Sequence, residues 1–171
     1  LRWPDIISPG GPMSLLDHPS VSHLEAESTL IIRPWWDESL ANTGHSPTSE
    51  YTERFWLGVL GPSVICLLRR ISRGFEAHPS GFQIVLTDTA RAIGLGGGTG
   101  QQAPINRTID RACTFNMARR ISPEQLEVRL HMPTLTARQL SRLPLAVRTA
   151  HGTWLREHAP KESRPSGPIA A

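Results

Sequence analysis

Lysine is almost missing from this chain: Lys161 stands alone against seventeen arginines. A guanidinium stays charged, and its planar fork grips phosphate or carboxylate with two parallel bonds, so an arginine-only basic region suits anion recognition. A genome biased toward arginine codons would also deplete lysine, but it would not gather the excess charge in one half of the chain. Cysteine is equally scarce. Cys66 and Cys113 are the only two, and both fall on apolar faces of predicted helices. That excludes a disulfide framework and predicts buried thiols in a reducing compartment. No apolar run approaches the roughly 20 residues that span a bilayer, and no basic-then-apolar leader is visible. The expected location is cytoplasmic, with no membrane partner. Aromatic residues make up only a modest 6% of the chain, though an apolar content of 39% supports a real core.

Several chemistries are excluded by spacing. The run Gly94-Leu95-Gly96-Gly97-Gly98-Thr99-Gly100 suggests a nucleotide loop, yet no Gly-x-Gly-x-x-Gly fits through it and no Gly-Lys-Ser/Thr follows. A flexible connection between helices is the better reading. The seven histidines are scattered, and none stands three or four residues from a cysteine or another histidine, so no zinc site is written locally. There is no Gly-x-Ser-x-Gly, and neither cysteine lies in a basic loop. The expectation is a non-enzyme with no catalytic residue, no metal and no cofactor.

What the chain does contain is uneven charge. Residues 1–60 hold three arginines against eight acids, whereas residues 61–158 hold thirteen arginines against six. Residues 1–47 are accordingly read as a poorly ordered acidic arm, 48–158 as the folded domain, and 159–171 as a disordered Pro/Ser-rich tail. Within the arm, Thr29–Arg33 reads as an edge strand or an anchor laid over the domain. Trp35 and Trp36 are either core packing or a ledge for a peptide.

In the domain, Tyr51, Phe55, Trp56, Val59 and Leu60 form one stripe of a helix from about 48 to 60, ended by Gly61-Pro62. A second helix, 63–76, buries Val64, Ile65, Leu67, Leu68, Ile71 and Phe75. Phe82–Leu86 alternates weakly as a short strand, and Thr87 is the expected cap of a short helix ending at Gly94. A helix over 104–117 turns Ile105, Ile109, Ala112 and Cys113 inward, and Asn106, Arg107, Asp110, Arg111 and Thr114 outward. Strands over 118–121 and 126–132 flank the turn Ser122–Gln125. Thr136 and Gln139 have capping-box spacing, and Leu140, Leu143, Val147, Ala150, His151 and Trp154 recur at helical intervals.

The order from Gly61 to Trp154, together with the phrase Ala92-Ile93-Gly94-Leu95, resembles the winged helix-turn-helix family. Residues 44–63 and the phrase Leu140–Pro144 also resemble an uncharacterised actinobacterial protein group. The fold implied is mainly α with a small β-hairpin, a winged helix-turn-helix with extra N- and C-terminal helices. The resemblance implies a DNA-binding transcriptional or chromosomal regulator, its partner double-stranded DNA and its recognition helix 104–117. Asn106, Arg107, Arg111 and Thr114 would meet the major groove and Arg119 and Arg120 the phosphates. Winged helices also dock proteins, so a protein partner stands as the alternative. In a homodimer, Trp154 and the last helix would form the pairing surface.

Overall fold

The computed structural model describes residues 28–98 and 100–158. The expected disorder of the arm's first part and of the 159–171 tail lies outside the described residues.

The chain begins in a strand, β1 (Thr29–Trp35), whose inward residues Leu30 and Ile32 are buried. A single 3-10 turn (Glu38–Leu40) leads to the helix of residues 50–60, made of a π-helical segment (Thr52–Trp56) and α1 (Leu57–Leu60). Then come α2 (Pro62–Ala77), β2 (Phe82–Val85), α3 (Leu86–Ala92), α4 (Pro104–Thr114), β3 (Ala118–Ser122), β4 (Gln125–Arg129), α5 (Ala137–Leu140) and α6 (Leu145–Glu157).

The strands form one mixed sheet in the order β2-β1-β4-β3. β1 runs antiparallel to β2, with Thr29 opposite Val85, and parallel to β4, with Trp35 opposite Arg129. About half of the described residues are helical, and the expected hairpin belongs to a mixed four-stranded sheet, so the fold is mixed α and β. One expectation is corrected: residues 29–35, within the segment read as a loose arm, supply an inner strand of that sheet rather than an edge strand. The physical reason is that β2 has no other strand to pair with and β4, already paired with β3, has its other edge open, and β1 lies between them.

Local rules account for the helices. α2 starts with Pro62 in its first turn and buries the predicted stripe. Cys66, however, is exposed. Two residues past Val64 is about half a turn away from the buried stripe, so the expected burial of this thiol is not met. The residue before α3 is Val85, which offers no side-chain cap, so Thr87 lies inside the helix instead of capping it. It ends where Gly94 takes φ +79 and the Leu95 amide donates back to the Ala90 carbonyl at 2.8 Å. α4 stops at Thr114, three residues short of expectation, because Asn116 adopts φ +57. The capping box at Thr136 is present, with Gln139 answering its backbone amide at 2.8 Å.

The turn into β2 carries one tight requirement. Gly81 sits at φ +118, and a Cβ there would press on the Ile32 carbonyl of β1. Gly81→Ala is therefore expected to cost at least about 1 to 3 kcal/mol from backbone strain alone, read as a lower urea midpoint at unchanged slope.

Candidate nucleic-acid interface

α4 packs against α2, α3 and β3 through Ile105, Thr108, Ile109 and Ala112. Its outer face carries Arg107, Asp110, Arg111 and Thr114, with Asn106 half-buried at the first turn. The six residues expected to touch DNA do not share one state. Asn106 donates from Nδ2 to the Gly100 carbonyl at 3.1 Å, which pins the glycine-rich connection. Arg111 reaches back to the end of α1, giving Nε to the Leu60 carbonyl and Nη2 to the Val59 carbonyl, both at 2.7 Å. Those are carbonyls that the Gly61-Pro62 break leaves without intrahelical donors, and a cation is the favoured group at a helix C-terminus. Thr114 turns its hydroxyl to the Asp110 carbonyl at 2.9 Å.

The hairpin arginines are also engaged. Arg119 bonds Glu127 at 2.6 Å and lies 4.4 Å over the Trp35 ring. Arg120 contacts Asp110 at 3.4 Å, tying β3 to α4. Only Arg107, of the six, makes no side-chain hydrogen bond or ion pair with another described residue. Asp110, placed by sequence within reach of Arg107, turns to Arg120 instead. Arg107 borders an open groove of about 290 Å³ between the start of α2 and the side of α4, with Ser63, Leu95, Pro104 and Arg111 around it. Arg91, at the end of α3, is exposed and only loosely paired with Asp88 at 3.6 Å.

Part of the charge asymmetry is resolved by folding. Asp37 and Glu53, from the acidic part of the chain, bind Arg129 and Arg69 in the basic part. The Ser39 hydroxyl, and then Arg129, hold the Asp37 carboxyl below its ordinary value.

Trp35 lies between two guanidiniums, Arg129 at 3.9 Å and Arg119 at 4.4 Å. Trp36 points out, 60% exposed. Trp35 is thus half-buried beside arginines rather than set in the core, and Trp36 is the exposed member of the pair. Trp154, expected at a dimer surface, packs within the chain against Tyr51 and Phe55 and stacks on His158 at 3.9 Å.

Sequence reasoning missed the cluster of Trp35, Arg129 and Asp37, and the Tyr51–His151 contact. The first three are brought together by the parallel register of β1 with β4, which no local pattern announces. For Arg111 a signal existed: a helix broken by Gly-Pro needs a donor for its last carbonyls.

Among the described residues no group of three or more His, Cys, Asp and Glu side chains is placed to hold a metal ion. Burial pushes the Cys113 thiol up, partly opposed by Arg120, so it is held as a thiol rather than a thiolate. No helix among the described residues is long and apolar enough to cross a membrane. Comparison with protein-family models, with curated proteins and with solved structures found no match to the chain.

Proposed function

We propose that this protein binds double-stranded DNA as a winged-helix-like regulator, presenting the exposed face of α4 and the end of α3 to the phosphate backbone and groove. The observation that carries the reading is Arg107, an uncommitted guanidinium on the first turns of α4 beside an open groove. The order α2, β2, α3, α4, β3, β4 is that of a winged helix, with β1 inserted between the strand before α3 and the hairpin. In this reading Arg107 and Arg91 are the primary contacts. Asn106, Arg111 and Thr114 shape α4, and Arg119 and Arg120 set the hairpin against Trp35 and Asp110.

Because few of the candidate arginines on this face are free, affinity rests on phosphate contacts and falls with salt. On random duplex DNA, Arg107→Ala is expected to weaken binding several-fold and to reduce the salt slope by about 1. Arg119→Ala is expected to change it little, since that guanidinium is occupied by Glu127. A folded, monodisperse protein that fails to bind duplex at low salt would defeat the proposal.

A second reading has its own support. With five of six candidate groups bound inside the chain, α4 has little left for reading base edges, and the face suits a protein partner with acidic side chains. Equal binding by wild type and Arg107→Ala at every salt concentration would favour it.

A further inference from the structure

The helix of residues 50–60, the segment after β4 and α6 meet around one buried phenol. Tyr51, 1% exposed, accepts the Leu135 amide at its Oη at 2.9 Å and stands 2.8 Å from Nε2 of His151. His151 is itself 2% exposed and packs edge-on against Phe55, ring centres 4.9 Å apart. His45 lies flat on the other side of Tyr51, ring centres 3.6 Å apart, with Nε2 3.3 Å from Thr134 Oγ1.

The bonding is complete when both imidazoles are neutral. Tyr51 Oη receives the Leu135 proton and gives its own to His151 Nε2, which must then be the bare nitrogen. Protonating His151 puts a second donor against Oη. The phenolic proton must then leave Nε2 for the neighbouring Thr134 hydroxyl, which also contacts His45, so the Tyr51–His151 bond is remade rather than kept. No described buried side-chain nitrogen or oxygen lacks a partner.

The charged groups around the cluster do not compensate. From the helix of residues 50–60, Arg54 lies 5.5 Å over Trp154 and 5.6 Å over Phe55, and its carboxylate, Glu50, is engaged with it at 3.1 Å. From α6 and its end, His158 stacks on Trp154, Arg156 bonds Thr153, and Arg148 and Glu157 are exposed. From the segment after β4, His131 faces Trp36 instead. Neither imidazole is bonded to a carboxylate of the described residues.

We propose that Tyr51, His45 and His151 form a proton-sensitive latch, and that protonating the two imidazoles undocks α6 from the helix of residues 50–60. Burial pulls both imidazoles below the ordinary 6.5, and for His45 the nearby His151 and His158 add to it. The sign follows from linkage. Above 6.5 both rings are neutral, folded or unfolded, and the latch is closed. As pH falls below 6.5 the released state takes up protons first, so docking weakens until the lowered folded values are passed.

The test follows hydrogen exchange of amides 145–157 in the full chain at about pH 7.5 and about pH 5.5, corrected for intrinsic rates, alongside an imidazole titration by NMR. Protection of α6 is expected to drop by about tenfold for each pH unit over which one imidazole resists its proton, while α2 holds. His151→Gln, which stays neutral, should remove most of that dependence, and His45→Gln part of it. An equal loss of protection in wild type and His151→Gln would overturn the latch. Should His151→Gln fail to fold, the wild-type titration decides: a His151 ring titrating at or above 6.5 overturns the latch, and one titrating below it together with the loss of α6 protection supports it.

Discussion

A chain beginning at residue 48 is expected not to fold, showing no cooperative thermal transition by circular dichroism where the full chain shows one. The loss is large because β1 serves both neighbours at once. It pairs with β2 through Thr29–Ile32 and with β4 through Ile31–Trp35. Without it, β2 has no strand to pair with, and a four-residue strand does not stand alone. Leu30 and Ile32 are 1% and 0% exposed, and each buried aliphatic side chain contributes about 1.5 to 3 kcal/mol. The lost ladder on both sides adds to that, against a total stability of about 5 to 15 kcal/mol. The single substitution Ile32→Asp asks the same question with the chain length intact. A carboxylate there has no partner and is expected to cost more than about 4 kcal/mol. A cooperative transition in the 48–171 chain near that of the full chain would show that the sheet does not depend on β1.

This dependence bears on function. β2 leads directly into α3, and β4 closes the hairpin whose other strand is tied to α4 by Arg120. β1 therefore fixes the spacing between the two halves of the proposed DNA-facing unit. The Ser28 carbonyl also accepts the Leu86 amide at 2.9 Å, so the entry to β1 holds the first residue of α3.

Where the code is local, the sequence was readable. The stripe of α2, the proline at its start and the Thr136–Gln139 box are all satisfied within one or two helical turns, and each stands where expected. β1 was harder to place because its partners lie some 50 and 95 residues away in sequence, and because Pro34 marks a run as an edge strand. The structure reconciles the two. Ile31 directs its amide to Glu124 on the β4 side, so by alternation the Pro34 nitrogen faces the other side. There β2 has already ended at Phe82, opposite Ile32, and no ladder bond is lost. The candidate site followed the same division. The outward face of α4 was legible from its period, but which arginines remain uncommitted was not. That depends on Val59, Leu60, Glu127 and Asp110 arriving from other elements. Arg107 and Arg111 look alike in sequence, one turn apart, yet one is open to a ligand and the other closes a helix end.

Replacing Trp56 by alanine is expected to destabilise the protein by about 3 to 5 kcal/mol, lowering Tm by roughly 15 °C. Trp56 is 0% exposed, with its indole Nε1 donating to the Pro133 carbonyl at 2.8 Å. It sits at the end of the π-helical segment, where the Leu57 amide reaches Thr52 instead of Glu53. The wider turn lets the adjacent Phe55 and Trp56 both face the core. Thr52, also 0% exposed, braces the segment by donating its hydroxyl to the Ser46 carbonyl at 2.8 Å. Two effects can be separated by a second variant. Trp56→Phe keeps much of the apolar contact but leaves the half-buried Pro133 carbonyl without its donor, a cost of about 1 to 3 kcal/mol. The alanine variant adds the cavity. Chemical denaturation of the three proteins should therefore rank wild type above Trp56→Phe above Trp56→Ala, with Phe nearer wild type. Because Pro133 begins the segment that carries Thr134 and Leu135 to Tyr51, losing the indole bond should also raise amide exchange at 135. An alanine variant within about 1 kcal/mol of wild type would mean that the site collapses to fill the space and that the indole is not what joins the exit of the hairpin to the helical layer.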